Sequence, residues 1–343
     1  MNLEKLVRRN IWKLKPYSSA RDEFKGEASA FLDANENPLR DNYNRYPDPL
    51  QWKLKEKVSE IKKANVKNIF LGNGSDEPID LVIRVFCEPK VDNIVAIDPT
   101  YGMYQVCADV NDVEYRKVLL NDKFDIDASR LLMAADENTK VVFLCSPNNP
   151  SGNLLSHDEL RKIITSFNGI VVLDEAYIDF APNKSWLPEL AQYPNLVILQ
   201  TFSKAWGLAA VRLGMAFASE EIIQLLNKVK YPYNVNQLTQ EFVASLIDND
   251  LQKNEWVEIL LRGRALLNDE LKNLPIVEQV YPTDSNFILV RVRDANKVYQ
   301  ELADRGVIVR NRNSVSLCGN CLRITVGTER ENKELLESMK EIG

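Results

Sequence analysis

The sequence predicts an α/β protein with two domains: a mostly parallel sheet sandwiched by helices, followed by a smaller α+β domain. The first observation is a series of short apolar runs rich in branched residues, beginning at Asn93, Val141, Ile170 and Leu196. The second is the helix-like spacing of apolar residues in most of the segments between these runs. The third is a change of pattern beyond about residue 235, where a long helical region precedes alternating strands.

In the larger domain, each predicted element follows from a local pattern. Apolar residues at helical spacing predict a helix over residues 52–61, and the strand "NIFLG" comes next. The turn "NGSDEP" then opens a second helix that reaches Phe86. The remaining strands are predicted at "NIVAI", "VVFLC", "IVVLD", "LVILQ" and "MAFAS".

The smaller domain is predicted from its own order of elements. A helical region over roughly residues 237–273 precedes the strands "IVEQVY" and "NFILVRV". A helix that ends at Gly306, the strands "VIVR" and "LRITV", and a final helix complete it. We therefore expect an N-terminal arm at 1–36 that packs with the small domain, a large domain at 37–236 and a small domain at 237–343.

Composition narrows the possible partners. The formal charge is −6 and the isoelectric point is about 5.2, so a nucleic-acid or anionic-membrane partner is not expected. Apolar runs stay well short of the roughly 20 residues that span a bilayer, and the first residues are too charged for a signal peptide. These features predict a cytoplasmic protein whose partners are small molecules or other proteins.

Cysteine and histidine usage limits the chemistry. The five cysteines fit reduced thiols, and Cys318 and Cys321 form a C-x-x-C without a second Cys/His pair, so we expect them to be structural. His157 is the single histidine of the sequence, which excludes histidine-based metal clusters, and we expect no metal. Acid–base chemistry would then come from lysine, tyrosine, cysteine or carboxylates.

Polar side chains follow five of the predicted strands. Ligands of open parallel sheets bind beyond the carboxyl ends of the strands, so these residues should meet at one edge. The segments concerned are "NGSDE", "DPTYGMY", "SPNNPSG", "DEAY" and "TFSK".

The residue types at this edge match the functional groups of pyridoxal 5'-phosphate. The helix start "GNGSDEP", with Ser203 and Arg212, would suit a phosphate. Asp174 would pair with a protonated ring nitrogen, and Lys204 could bind an aldehyde as a Schiff base. Each motif alone also has a plain structural interpretation: an ordinary turn, a strand-end ion pair or a solvated lysine.

The joint order of three motifs resembles a known family. "SPNNPSG", "DEAYIDF" and "TFSKAWGLAAVRLG" resemble the fold-type I pyridoxal-phosphate aminotransferases. The segments "DANENPL", "NRYPDP", "DPTYGMY", "GVIVRNRN" and "LRITVGT" narrow the resemblance to the histidinol-phosphate aminotransferase family. This resemblance covers almost the whole chain.

The resemblance implies a role for each cofactor-binding residue. Lys204 would bind the cofactor's aldehyde and then carry the proton, while Asp174 would keep the pyridine nitrogen protonated. Asn149 and Tyr177 would hydrogen-bond the phenolic oxygen, and Tyr101 would stack on the ring. The phosphate would be held by Ser203, Arg212 and the backbone N–H groups of Ser75 and Asp76.

The resemblance also implies substrates and a partner. Histidinol phosphate and 2-oxoglutarate would be converted to imidazole acetol phosphate and glutamate, in histidine biosynthesis. Arg323 would bind the substrate's anionic group, with Arg310 and Tyr17 assisting at the phosphate. Tyr46 would reach the cofactor phosphate of the neighbouring subunit, which makes a homodimer with shared active sites part of the prediction.

Two departures from the family pattern and three rival functions accompany the resemblance. Arg40 stands where the family commonly has glycine, and "PSG" replaces the frequent "PTG"; neither touches a residue assigned to chemistry. An aromatic-amino-acid aminotransferase or a threonine-phosphate decarboxylase would share nearly every motif. The third rival is a non-catalytic ligand-binding or regulatory module, against which the retention of Lys204 with its partners argues.

Overall fold

The computed structural model describes residues 2–17, 26, 28–40, 42–248 and 250–342. The larger sheet is formed by β1 Ile69–Asn73, β2 Asn93–Asp98, β3 Glu114–Leu119, β4 Thr139–Cys145, β5 Ile170–Asp174, β6 Leu196–Thr201 and β7 Leu213–Phe217. The helices associated with it are α1 Leu3–Leu6, α2 Arg9–Lys13, α3 Trp52–Lys62, α4 Asp76–Phe86, α5 Met103–Val110, α6 Ala128–Ala134, α7 His157–Ser166, α8 Glu220–Val229 and α9 Gln237–Leu246.

The strands of the larger sheet are arranged in the order β1-β7-β6-β5-β4-β2-β3. Strands β2 to β6 pair in parallel, whereas β7 runs antiparallel to both β6 and β1. The mostly parallel sheet predicted from the sequence is therefore confirmed. Because the parallel strands share one direction, the residues that follow them reach the same edge.

Both faces of the larger sheet are buried, as strand β5 illustrates. Val171 and Leu173 pack into the core on one side, and Ile170 and Val172 pack into the core on the other. Alternate side chains of a strand point to opposite faces, so a continuous apolar run is what a doubly covered strand requires. Strand β3 lies at the edge of the sheet, and its polar sequence "EYRKVL" explains why the apolar runs did not include it.

The smaller domain has its own antiparallel sheet, in the order β10-β11-β9-β8. Its elements are α10 Leu251–Lys272, β8 Val277–Val280, β9 Phe287–Val292, α11 Ala295–Asp304, β10 Arg310–Asn311, β11 Cys321–Thr325 and α12 Glu329–Ile342. The segment "VIVR" contributes only its last residue to β10, so that predicted strand is shorter and begins later than the sequence indicated.

Helix α9 begins at Gln237, where we predicted the domain boundary, and it packs on the larger domain. Helix α9 packs against α3 of the larger domain, where Lys57 Nζ donates to the Ala244 carbonyl at 2.8 Å. Val243 and Ile247 are buried in the core of the larger domain. The apolar face of α9 is therefore covered by α3 of the larger domain, and the domain boundary itself stays a prediction.

The described part of the N-terminal arm also packs on the larger domain. The Arg8 backbone N–H donates to the Val85 carbonyl at 3.0 Å, and Lys228 Nζ donates to the Trp12 carbonyl at 2.7 Å. Val7 and Ile11 are buried in the same core as α4 and α8. The expected packing of the arm with the smaller domain is not found in residues 2–17, and residues 18–25 lie outside the described part.

Candidate active site

One cavity of about 170 Å³ lies at the carboxyl ends of β4, β5 and β6. It brings together nine of the residues that the sequence predicted for a cofactor site. Its walls are formed by Ser75, Asp76, Tyr101, Cys145, Asn149, Asp174, Ala176, Tyr177, Thr201, Ser203, Lys204, Ala209 and Arg212.

A buried carboxylate forms one end of this cavity. Asp174 is the last residue of β5, and its Oδ2 accepts a hydrogen bond from the Tyr104 hydroxyl at 2.7 Å. Its Oδ1 accepts from the Ala176 backbone N–H at 3.0 Å. Desolvation raises the pKa of Asp174, and these two hydrogen bonds oppose that shift. A cationic group opposite this carboxylate would favour its ionised form.

Lys204, the lysine of the motif "TFSK", lines this cavity. Lys204 follows β6, and its Nζ lies 5.4 Å from the centre of the Tyr177 ring. Desolvation lowers the pKa of Lys204, and the positive charge of Arg323 lowers it further. A lowered pKa increases the fraction of the neutral amine, which is the nucleophilic and basic form.

A cation, a hydroxyl and a helix start form the other end. Arg212 Nη1 lies 3.5 Å from Ser203 Oγ, and Arg212 Nη2 lies 3.5 Å from the Asp76 carboxylate. Helix α4 begins at Asp76, and Ser75 occupies its N-cap position without a side-chain capping bond. The first N–H groups of a helix have no partner within the helix, so this end suits an anion such as phosphate.

Two glycines allow the chain to close around this anion end. Gly74 has a φ of +69°, a conformation that residues with a side chain rarely adopt. A Cβ atom on Gly214 would lie 2.3 Å from the Ser75 backbone nitrogen. Strand β7 can therefore approach the start of α4 only where a side chain is absent.

Two tyrosines line the sides of the cavity. The Tyr101 hydroxyl donates to Asp76 Oδ1 at 3.0 Å, and burial raises the Tyr101 pKa. Tyr177 packs edge-on against Phe287 with ring centres 5.1 Å apart, and desolvation raises its pKa as well. Both phenols are therefore held in their neutral form, as hydrogen-bond donors.

The smaller domain reaches the cavity through one arginine. Arg323 lies on β11, and its Nη1 donates to Asn149 Oδ1 at 2.5 Å. Its guanidinium lies 5.1 Å from the centre of the Phe287 ring. Desolvation lowers the Arg323 pKa, and the charge of Arg310, directly opposite on β10, lowers it further.

Four predicted site residues do not line this cavity: Tyr17, Tyr46, Arg310 and Arg323, of which Arg323 contacts the wall residue Asn149. Tyr46 is half exposed and stacks on Tyr233 with ring centres 4.4 Å apart. Tyr17 is 72% exposed and lines a different cavity, together with Pro49 and Lys230. The assistance of Tyr17 at the substrate phosphate stays a prediction, because within its own chain Tyr17 lines another cavity.

Two residues near the site were missed by the motif analysis. Tyr104 donates a hydrogen bond to Asp174. It is the second tyrosine of "DPTYGMY", three residues after Tyr101, and this spacing of about one helical turn could have indicated it. Arg312 is half-buried beside Arg323. The alternation in "VIVRNRN" could have indicated it, because residues two apart in an extended segment lie on the same side.

The cysteine pair lies in the core. Cys318 and Cys321 are free thiols and fully buried. Desolvation raises the pKa of Cys318 to about 12, so its thiolate is disfavoured at neutral pH.

The chain matches a known family over most of its length. A model of the family described as aminotransferase class I and II matches residues 22–339. The histidinol-phosphate aminotransferase of Bacteroides thetaiotaomicron is 61% identical over 339 residues, covering 98% of this chain and 98% of that protein.

Two solved structures share the fold. The histidinol-phosphate aminotransferase from Clostridium acetobutylicum has a TM-score of 0.81 at 23% identity, covering 90% of this chain and 97% of that chain. The histidinol-phosphate aminotransferase from Sinorhizobium meliloti, in complex with pyridoxal-5'-phosphate, has a TM-score of 0.80 at 22% identity, covering 88% of this chain and 83% of that chain. In the described part of this chain, helices are too short or too polar to cross a membrane.

Proposed function

Because this chain belongs to the class I and II aminotransferases and, within them, to the histidinol-phosphate aminotransferases, we propose that it interconverts L-histidinol phosphate and imidazole acetol phosphate. The amino group is exchanged with 2-oxoglutarate and glutamate, in a step of histidine biosynthesis. The observation that carries the proposal is the placement of Lys204 in one cavity with the buried Asp174 and the cation Arg212.

The donor set fits pyridoxal 5'-phosphate as the cofactor. Ser203, Arg212 and the start of α4 offer hydroxyl, cation and N–H groups to a phosphate. Asp174 offers a buried carboxylate to a protonated ring nitrogen. Asn149 and Tyr177 would hydrogen-bond the phenolic oxygen, Tyr101 would stack on the ring, and Ser75 and Asp76 would supply backbone N–H groups. When bound, this cofactor supplies an electron sink for negative charge that develops at the substrate's α-carbon.

Lys204 performs two tasks in the proposed mechanism. Its neutral amine would hold the cofactor through its aldehyde group and, when free, would accept the proton from the substrate's α-carbon. Burial and the charge of Arg323, which lower its pKa, favour both tasks. Asp174, which accepts a hydrogen bond from Tyr104, would stabilise the positive charge of a protonated ring nitrogen.

Arg323 orients the substrate in this proposal. Its guanidinium binds the α-carboxylate of glutamate in one half-reaction and assists with the phosphate of histidinol phosphate in the other. Arg310, opposite Arg323 across the β10–β11 pair, assists at the phosphate. Anchors at both ends hold the reacting α-carbon above Lys204, which is how orientation contributes to rate and selectivity.

A homodimer with shared active sites is part of the proposal. Tyr46 lies outside the cavity of its own chain, as a contribution to the neighbouring subunit's cofactor phosphate would require. Light scattering after size exclusion should give twice the chain mass of 39.2 kDa. In a dimer, Tyr46→Phe should weaken cofactor binding, whereas a monomer of full activity would overturn shared sites.

The proposed function is tested by the visible absorbance of the bound cofactor. Histidinol phosphate, phenylalanine and threonine phosphate are titrated in parallel, and we expect the band to be lost at far lower concentration with histidinol phosphate. Addition of 2-oxoglutarate should restore it. A stronger response to phenylalanine or threonine phosphate would overturn the substrate assignment, and a protein without a cofactor band would overturn the enzyme assignment.

A further inference from the structure

Three arginines lie on one face of the smaller sheet. Arg310 is directly opposite Arg323 in the β10–β11 pair. The pairing continues one step further, because the Arg312 backbone N–H donates to the Cys321 carbonyl at 2.9 Å. Side chains two residues apart on a strand, and those directly opposite across a pair, share a face. Arg310, Arg312 and Arg323 therefore point to the same side of the sheet.

That side of the sheet faces the active site. Arg323 reaches Asn149 in the cavity wall, and Phe287, over which it lies, packs against Tyr177. Arg312 and Tyr177 each affect the other's titration through their charges. Arg312 lies diagonal to Arg323 on the same face of this sheet.

Among the described residues, the three arginines have no acidic partner within 4.0 Å. In the described part of the chain, the ion pairs found within 4.0 Å involve other residues. Arg312 Nε is buried without a hydrogen-bond partner. Desolvation lowers the Arg312 pKa to about 10, and the charges of Arg323 and Arg310 contribute to that shift. Unpaired guanidinium groups in a partly buried cluster are costly unless an anion joins them.

We propose that Arg312 is a further substrate-binding residue, which binds the phosphate of histidinol phosphate together with Arg310. The proposal rests on the proposed function and adds a residue to it. A phosphate carries close to two negative charges and three terminal oxygens. It can therefore bind two planar guanidinium groups, and it does so better than a single carboxylate would.

The test compares substrates with and without the phosphate. Arg312→Gln, Arg312→Lys and the wild type are loaded with cofactor, and the half-reactions with histidinol phosphate, histidinol and glutamate are followed by absorbance. Arg293→Gln is the matched control, because Arg293 is an exposed arginine just after β9 of the same sheet. Cofactor absorbance and the thermal unfolding midpoint of each variant establish that it is folded and loaded.

We expect Arg312→Gln to lower kcat/KM for histidinol phosphate by about 10- to 100-fold, the effect of one lost charge-assisted hydrogen bond. The change for histidinol and for glutamate should stay below about 3-fold, the scale of a weak indirect effect. Arg312→Lys should retain part of the activity, because the charge remains and the planar fork is lost.

Three results would overturn the assignment. An equal loss with histidinol phosphate and histidinol would mean that Arg312 acts on the fold or on the amino end. A loss confined to glutamate would assign Arg312 to a carboxylate instead. No change, with a wild type that still prefers histidinol phosphate over histidinol, would remove Arg312 from the site while leaving the proposed function intact. Failure of the proposed function itself would appear as a wild type that does not respond to histidinol phosphate.

Discussion

The two ends of the site differ in how their charges are satisfied. At the cofactor end, Asp174 accepts hydrogen bonds from Tyr104 and Ala176, and Arg212 faces Asp76 and Ser203. All of these groups belong to the larger domain. At the substrate end, the arginines of the smaller domain lack acidic partners in the described part of the chain, and Arg323 is bonded to the neutral Asn149.

This difference matches two kinds of ligand. A group that stays bound through many turnovers can be held by residues already fixed by one domain's core, because that geometry never has to change. Substrates that enter and leave are better served by cations that the protein itself leaves unpaired, since the incoming anion then supplies the missing charge. The comparison predicts that variants at the cofactor end act on all substrates alike, and that variants at the substrate end act selectively.

The largest expected effect is at the cofactor end. Lys204→Ala should reduce transamination of every substrate by about 10⁴-fold or more, because nucleophile and general base are lost together. Turnover assays with histidinol phosphate and with glutamate measure this. Treatment with borohydride and pyridoxal phosphate should also no longer add the cofactor's mass at residue 204. Lys184→Ala, at an exposed position, is the control. Residual labelling elsewhere with normal turnover would refute the role of Lys204.

A smaller and purely cofactor-directed effect is expected at Arg212. Arg212→Gln should weaken pyridoxal phosphate binding by about 10- to 100-fold, since a charge-assisted bond to the phosphate is removed. Titration of the cofactor-free protein measures the dissociation constant. Arg130→Gln, an exposed arginine on α6, should leave it unchanged. If Arg212→Gln changed the preference among substrates and not cofactor affinity, the division between the two ends would fail.

The smallest effect links the two ends through charge. The Arg323 guanidinium contributes to the lowered pKa of Lys204, so Arg323→Gln should raise that pKa towards its usual range. Combination of the cofactor-free protein with pyridoxal phosphate requires the neutral amine, so its rate should rise at higher pH in the variant than in the wild type. Stopped-flow absorbance across pH measures this, with Arg293→Gln as the control. A profile that stays in place or moves to lower pH would exclude this coupling.

Much of the fold could be predicted from local sequence. Apolar runs such as "IVVLD" predict buried parallel strands because both faces of the sheet are covered, and strand β5 is found at 170–174. The edge strand β3 was missed, because most of its side chains are exposed or half-buried and few of them are apolar. The domain boundary at 237 stays a prediction, and α9, which follows it, packs on α3 of the larger domain, because helical periodicity indicates an apolar face and not the domain that covers it.

The sequence by itself determined which chemistry is available: a lysine, a carboxylate and an anion-binding turn, each at or just after the end of a strand. Strand direction then places these groups at one edge of the sheet, which is why nine of the residues predicted for the cofactor site line one cavity. Only the tertiary structure decided that Tyr104 holds Asp174, that Tyr17 lies in a different cavity and that Arg312 joins Arg323. Those relations depend on distances between segments far apart in the chain, and the packing of two domains fixes them, whereas local patterns do not.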